Sequence, residues 1–144
     1  MKLRPLEQFI CDECGDLIEK LEDGWLEWLS PPNKPVHGFR IVHAADKSPR
    51  SKNGGDCYYP DGSGTSDNHL NNFAGPDGLA MLLSFLEMDL GYPKELADIT
   101  RRIHVPHYEE ARQYLDKALD DGFLSSRDYN QEDLKRVMEE YGTE

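Results

Sequence analysis

The sequence has little positive charge. Its 144 residues include 16 Lys and Arg against 28 Asp and Glu, which gives a formal net charge of −12. A surface of this sign repels phosphate backbones, and neutralisation of phosphates supplies most of the affinity of proteins for nucleic acids. The composition therefore argues against a nucleic-acid partner and favours basic protein partners.

Long apolar runs are also missing. The longest, LAMLLSFLEM, covers residues 79–88 and is much shorter than the ~20 residues that a transmembrane helix requires. The opening segment, MKLRPLEQFI, contains neither the apolar core nor the small-residue cleavage site of a secretory signal. We therefore expect no membrane association and a cytoplasmic location.

Cysteine is scarce and its number is odd. All three cysteines lie within the first 57 residues, and two of them, Cys11 and Cys14, are separated by only two residues. A secreted disulfide framework normally has an even number of cysteines. In a reducing compartment, clustered thiols are more typical of a metal site.

The first part of the chain has the pattern of short strands. Residues 24–30 and 38–44 alternate in polarity, and the three prolines of the connecting PPNKPVH segment require a loop. This predicts an antiparallel hairpin with a long connection, followed by a third short strand at residues 57–60. The Gly- and Ser-rich residues 61–68 are the expected boundary with the next part of the chain.

From residue 68 onward the apolar residues follow a helical period. A helix opening at Gly75-Pro76 has almost no polar face, which predicts a buried central helix. Three further helices are predicted within residues 94–103, 107–123 and 130–142, with Asn130 as the N-cap of the last. We therefore expect an α+β fold: a small zinc-stapled β unit over residues 1–60 and a bundle of about four helices over residues 68–144, sharing one core.

Four side chains form a candidate metal site. The Cys11–Cys14 knuckle can supply two thiolates, His43 ends the second predicted strand, and Cys57 lies on the third, which gives the spacing Cys-x2-Cys-x28-His-x13-Cys. Zinc prefers four tetrahedral ligands drawn from Cys and His. We expect these four residues to bind zinc, with His69 as the reserve fourth ligand and His37 as a weaker one.

The ligand pattern of residues 9–60 resembles the zinc-ribbon and treble-clef class of metal knuckles. This resemblance implies a small β fold held together by a structural zinc ion. The layout CDECG…DGWLEW…FRIVH…C is also similar to small bacterial proteins without an established activity, so it implies no function.

Three other interpretations of the cysteines remain open. A redox pair needs a lowered thiol pKa, but Asp12, Glu13 and Asp16 surround the knuckle with negative charge that raises it. Alternatively, the three cysteines are small core residues and His43 is an ordinary strand histidine. A catalytic zinc ion would need an open position for water, which a closed Cys3His set does not leave.

Residues 94–123 resemble a helix-turn-helix. The second helix of this segment would read the major groove, a task that requires Arg, Lys, Asn or Gln. It contains Arg112 and Lys117 against five acidic residues: Glu109, Glu110, Asp116, Asp120 and Asp121. The charge disfavours DNA binding, but a nucleic-acid-binding regulator that uses this segment or the basic loop at residues 47–52 remains the alternative.

The sequence contains no phosphate-binding loop, Gly-rich dinucleotide turn, nucleophile elbow or pair of catalytic carboxylates. The interpretation that fits best is a non-catalytic adaptor or regulatory module that acts through protein contacts. The second alternative is a zinc-dependent hydrolase. Four aromatic residues are expected to form the β core or to anchor a partner: Trp25, Trp28, Tyr58 and Tyr59.

Overall fold

The computed structural model describes residues 2–142 and confirms the α+β fold class. Five strands come first in the chain: β1 (Phe9–Ile10), β2 (Leu17–Ile18), β3 (Gly24–Leu29), β4 (His37–His43) and β5 (Thr65–His69). Five helical segments follow: α1 (Gly75–Ser84), α2 (Pro93–His104), α3 (Tyr108–Ala111), α4 (Leu115–Asp120) and α5 (Gln131–Tyr141). The single helix predicted within residues 107–123 is broken into α3 and α4 by a 3-10 turn at Arg112–Tyr114. None of the described helices has the length and apolar character that crossing a membrane would require.

The strands form two antiparallel sheets. β1 and β2 make a short ribbon around the cysteine knuckle, and β3 is the central strand of a second sheet with the order β4-β3-β5. The predicted hairpin is present, with Leu26 of β3 opposite Ile41 of β4. Both of these side chains are fully buried.

The third strand was predicted in the wrong place. Residues 57–60 form bends and irregular backbone, whereas Thr65–His69, which overlaps the expected boundary segment at residues 61–68, pairs along β3 as β5. The sequence TSDNH of β5 has no apolar alternation, because it is an edge strand with mostly half-exposed or exposed residues. Its last residue, His69, packs edge-on against Trp25 of β3, with ring centroids 4.3 Å apart.

Helix α1 is not the buried central helix that its composition predicts. Leu82 and the following Phe85 are buried, but Leu83 and Leu86 are 51% and 58% exposed. Only one face of the helix packs against the protein. Just after the helix ends, the ring of Phe85 contacts those of Trp28 and Phe39 at centroid distances of 5.0 and 5.2 Å. No described element covers the opposite face, so its leucines remain in contact with solvent.

Buried apolar side chains form two clusters. The first joins the strands to α1 and α2, with Ile41, Leu82 and Ile99 among its members. The second lies within α3, α4, α5 and their connections, with Ala111, Ala118 and Leu134 fully buried. The predicted N-cap of α5 is present, since the Asn130 side chain accepts a hydrogen bond from the backbone N–H of Asp133 at 2.9 Å.

Candidate metal centre

The knuckle is shaped by the β1–β2 ribbon. The N–H of Cys11 donates to the carbonyl of Asp16, and the N–H of Gly15 donates to the carbonyl of Cys11, both at 3.0 Å. Gly15 has a φ of +80°, in the left-handed region that favours glycine, and this conformation closes the turn just after Cys14. The two sulfurs of the knuckle are thereby held on a fixed loop.

His43 reaches the knuckle from the end of β4. Its Nε2 lies 3.0 Å from the carbonyl oxygen of Leu17, and because a carbonyl only accepts, Nε2 carries the proton. In the neutral ring, Nδ1 then has a free lone pair, and it lies 3.4 Å from Cys14 Sγ and 3.9 Å from Cys57 Sγ. A backbone carbonyl that fixes the tautomer in this way is one of the usual partners of a metal-binding histidine.

Cys57 completes the group from the far end of the loop that follows β4. It is fully buried, and its Sγ lies 3.1 Å from the hydroxyl of the buried Ser48. The backbone carbonyl of Cys57 accepts a hydrogen bond from Arg40 Nη2 at 3.0 Å. These contacts fix the position of the third thiol even though residue 57 is not on a strand.

The ligand atoms of Cys11, Cys14, His43 and Cys57 all lie within 4.8 Å of one another. Around a tetrahedral zinc ion, ordinary bond lengths give ligand separations of roughly 3.5 Å for sulfur to nitrogen and 3.8 Å for sulfur to sulfur. The two sulfur–nitrogen distances that His43 makes fall close to these values. The structure therefore brings together the four residues that the spacing predicted, in an arrangement that could hold a metal ion.

The protein environment raises the pKa of two of the thiols, Cys14 and Cys57. Burial raises the pKa of the Cys14 thiol to about 12, with a further contribution from the neighbouring Cys11, and burial also raises the pKa of Cys57. Three thiolates could share this space only with a cation among them. The raised pKa also argues against a reactive redox thiolate.

The two acidic residues between the knuckle cysteines, Asp12 and Glu13, bind arginines and so are not available as metal ligands. Glu13 pairs with Arg50 at 2.9 Å and with Arg40 at 2.7 Å, and these two guanidinium groups hold the pKa of Glu13 below its usual value. Arg40 also pairs with the fully buried Glu27 and lies over the ring of Tyr59. The basic loop that the nucleic-acid alternative invoked thus directs its Arg50 toward the knuckle.

The other acidic residue between the two cysteines, Asp12, is partly exposed and belongs to an ion-pair network around a buried arginine that was not predicted from the sequence. Arg102 of α2 is 1% exposed, and it donates to Asp12 at 2.6 Å and to the two oxygens of Glu109 at 2.6 and 2.8 Å. The signal was present in the sequence, because Arg102 lies on the same helical face as Ile99 and Ile103. This network connects the knuckle to α2 and α3.

The second helix of the segment that resembles a helix-turn-helix is also engaged in contacts within the protein. Glu109 and Glu110 of α3 are buried, and their carboxylates accept hydrogen bonds from the backbone N–H groups of Ile10 and Leu3. A helix that enters the major groove must be exposed on the side that meets the bases. The start of α3 instead faces the amino-terminal segment of the chain.

The two reserve histidines lie outside the four-residue group. His69 packs against Trp25, and His37 Nδ1 lies 3.1 Å from the carbonyl of Pro35.

Because His69 lies outside the group, we expect the His69→Ala variant to contain the same amount of metal per chain as the unchanged protein, measured by elemental analysis. Metal loss in this variant, without loss of folding by circular dichroism, would instead make His69 a ligand.

Comparisons of the chain with protein-family models, with curated proteins and with solved structures found no match. The described residues define an α+β protein with a Cys3His metal-binding group. The likeness to zinc ribbons and treble clefs remains one of ligand pattern, and no family follows from it.

Proposed function

We propose that Cys11, Cys14, His43 and Cys57 bind one structural zinc ion, and that the protein is a non-catalytic module acting through protein contacts. The observation that carries the zinc proposal is the convergence of these four ligand atoms within 4.8 Å of one another. Three thiols and one imidazole are soft and borderline ligands, and tetrahedral sets of this kind are typical of zinc.

A structural role fits the site better than a catalytic one. A catalytic zinc ion keeps a position open for water, whereas four protein ligands complete the tetrahedron. Cys11, His43 and Cys57 are each at most 3% exposed, so the site offers little access to a substrate. The nearby Glu13 and Glu27 bind arginines and are not poised as general bases.

The ion would connect three separate pieces of backbone. It would join the β1–β2 knuckle to the end of β4 and to the loop that carries Cys57, a region of about 60 residues whose core alone is marginal. A reducing, cytoplasmic location would keep the thiols free for the metal. The role in protein contacts is supported by the large apolar side chains that α1 and the residues after it expose.

Substitution of zinc by cobalt(II) tests whether the site is closed. We expect the intense visible absorption of a tetrahedral ion together with thiolate-to-cobalt charge-transfer bands, and we expect added azide to leave the spectrum unchanged. The Cys14→Ser variant should lose charge-transfer intensity, while the His37→Ala variant should keep it.

A spectrum that shifts on addition of azide would contradict the structural role. Such a shift requires a position that an external ligand can enter, which is the property expected of the hydrolase alternative.

A further inference from the structure

The exposed large apolar side chains of the described residues are confined to one short segment. All five lie within residues 81–92, here called the apolar segment, although exposed apolar residues are usually scattered singly over a surface. They are Met81 (40% exposed), Leu83 (51%), Leu86 (58%), Met88 (45%) and Tyr92 (65%).

The apolar segment is firmly attached to the rest of the protein. Leu82 and Phe85 anchor it in the main core, and Val36 is joined to the segment by backbone hydrogen bonds with Asp89 and Gly91 at 2.8 and 2.9 Å. Leu83 and Leu86, three residues apart, lie on the same side of the helical turn. Their exposure is therefore a property of the folded chain and not of a loose end.

The charged side chains within residues 70–93, which include the apolar segment, have one sign. Residues 70–93 contain no Lys, Arg or His, and the acidic residues among them are Asp77, Glu87 and Asp89. All three are exposed, and within residues 2–142 their side chains form neither an ion pair nor a hydrogen bond. The apolar segment thus carries carboxylates that form no ion pair within residues 2–142.

We propose that the apolar segment binds a basic amphipathic helix of a partner protein. The inference rests on the proposed role in protein contacts and names the chemistry of the partner. Leucine and methionine side chains would receive the apolar face of that helix, and Met81 and Met88 can adapt their shape to it. Glu87 and Asp89 would meet its Lys and Arg residues.

Charge selects this occupant over two others. A second copy of the chain would bring a net charge of −12 against another −12 and would place carboxylates against carboxylates. A membrane surface with anionic lipids would be repelled for the same reason. A cationic partner is attracted at long range and also relieves the repulsion between neighbouring carboxylates.

The test uses the zinc-loaded chain of 144 residues and a synthetic helical peptide. The probe is a fluorescein-labelled peptide with leucines at helical spacing and lysines elsewhere, and the comparison peptides replace every lysine by glutamate or every leucine by serine. Fluorescence anisotropy measures binding to the unchanged protein and to two double variants, Leu83→Ser with Leu86→Ser and Glu87→Lys with Asp89→Lys. The control is Glu139→Lys with Glu140→Lys, which makes the same charge change at exposed positions of α5.

We expect only the leucine–lysine peptide to bind. Each variant of the apolar segment should weaken its binding by about tenfold or more, whereas the α5 control should change it by less than about twofold. Absence of binding, or equal weakening by the α5 control, would overturn the inference. So would self-association of the unchanged protein that the serine variant abolishes, or retention of the protein on anionic phosphatidylserine vesicles.

Zinc content and thermal unfolding of every variant separate the two proposals. A zinc-loaded, folded protein that does not bind the peptide overturns the docking inference and leaves the metal centre standing. A protein that binds the peptide but contains no zinc overturns the metal proposal and leaves the docking inference standing.

Discussion

Removal of the metal is expected to unfold the amino-terminal β unit. Chelation of zinc, or the His43→Ala variant, should abolish the amide-exchange protection of β1, β2 and the end of β4. Binding of zinc to small Cys and His sites contributes apparent free energies of about 10 kcal/mol or more, which exceeds the stability that a β unit of this size gains from its own core. Hydrogen exchange followed by mass spectrometry measures the loss of amide protection for each segment of the chain separately.

The strand β4 offers a matched control for this experiment. His37 and His43 are its first and last residues, and only His43 lies in the four-residue group. His37→Ala should therefore retain the zinc and the protection pattern of the unchanged protein. Equal amide-exchange rates in the His43→Ala and His37→Ala variants would contradict the account. So would slow amide exchange in β1 and β2 after the zinc has been removed by a chelator.

The second large effect is expected at Arg102. Replacing it by Met should lower the free energy of unfolding by about 3–5 kcal/mol, because the change leaves the buried Glu109 and the partly exposed Asp12 without their cation. Burial lowers the pKa of Arg102, but its bonds to Glu109 and Asp12 more than offset this and raise the pKa above its usual value. The guanidinium therefore stays charged at any pH at which the protein folds. Urea unfolding measures the difference.

Two further variants test the physical reason for that loss. Arg136 of α5 is 46% exposed and pairs with Asp133 at 3.4 Å, so Arg136→Met should cost less than about 1 kcal/mol. Adding Glu109→Gln to Arg102→Met should restore part of the stability, since it removes one of the unpaired charges. If the double variant is no more stable than the single one, lost packing and not unpaired charge is the cause.

The sequence was sufficient to predict the fold class and the four residues of the metal-binding group. Cysteine and histidine have few roles in a short acidic chain, so the knuckle at Cys11 and Cys14 limited the choice of the other two members to a small set. The position of His43 at the end of a strand followed from the hairpin pattern, which the structure confirms as β3 and β4, whereas Cys57 was predicted on a strand and lies in irregular backbone.

Other features depend on tertiary contacts that local patterns do not show. β5 is polar because its outer edge faces solvent, so its sequence TSDNH looks like a loop. The apolar character of α1 predicts burial on all sides, but only one side has a neighbour within the described residues. The position of Arg102 beside Ile99 and Ile103 on one helical face indicates its burial, but its partners Asp12 and Glu109 lie on other parts of the chain and do not follow from the local pattern.

Metal analysis of the purified, unchanged protein tests the central claim most directly. Elemental analysis combined with X-ray absorption at the zinc edge should find one zinc ion per chain, bound by three sulfurs and one nitrogen. A fully folded protein that contains no metal, or one in which two of the three cysteines are joined by a disulfide, would contradict the account.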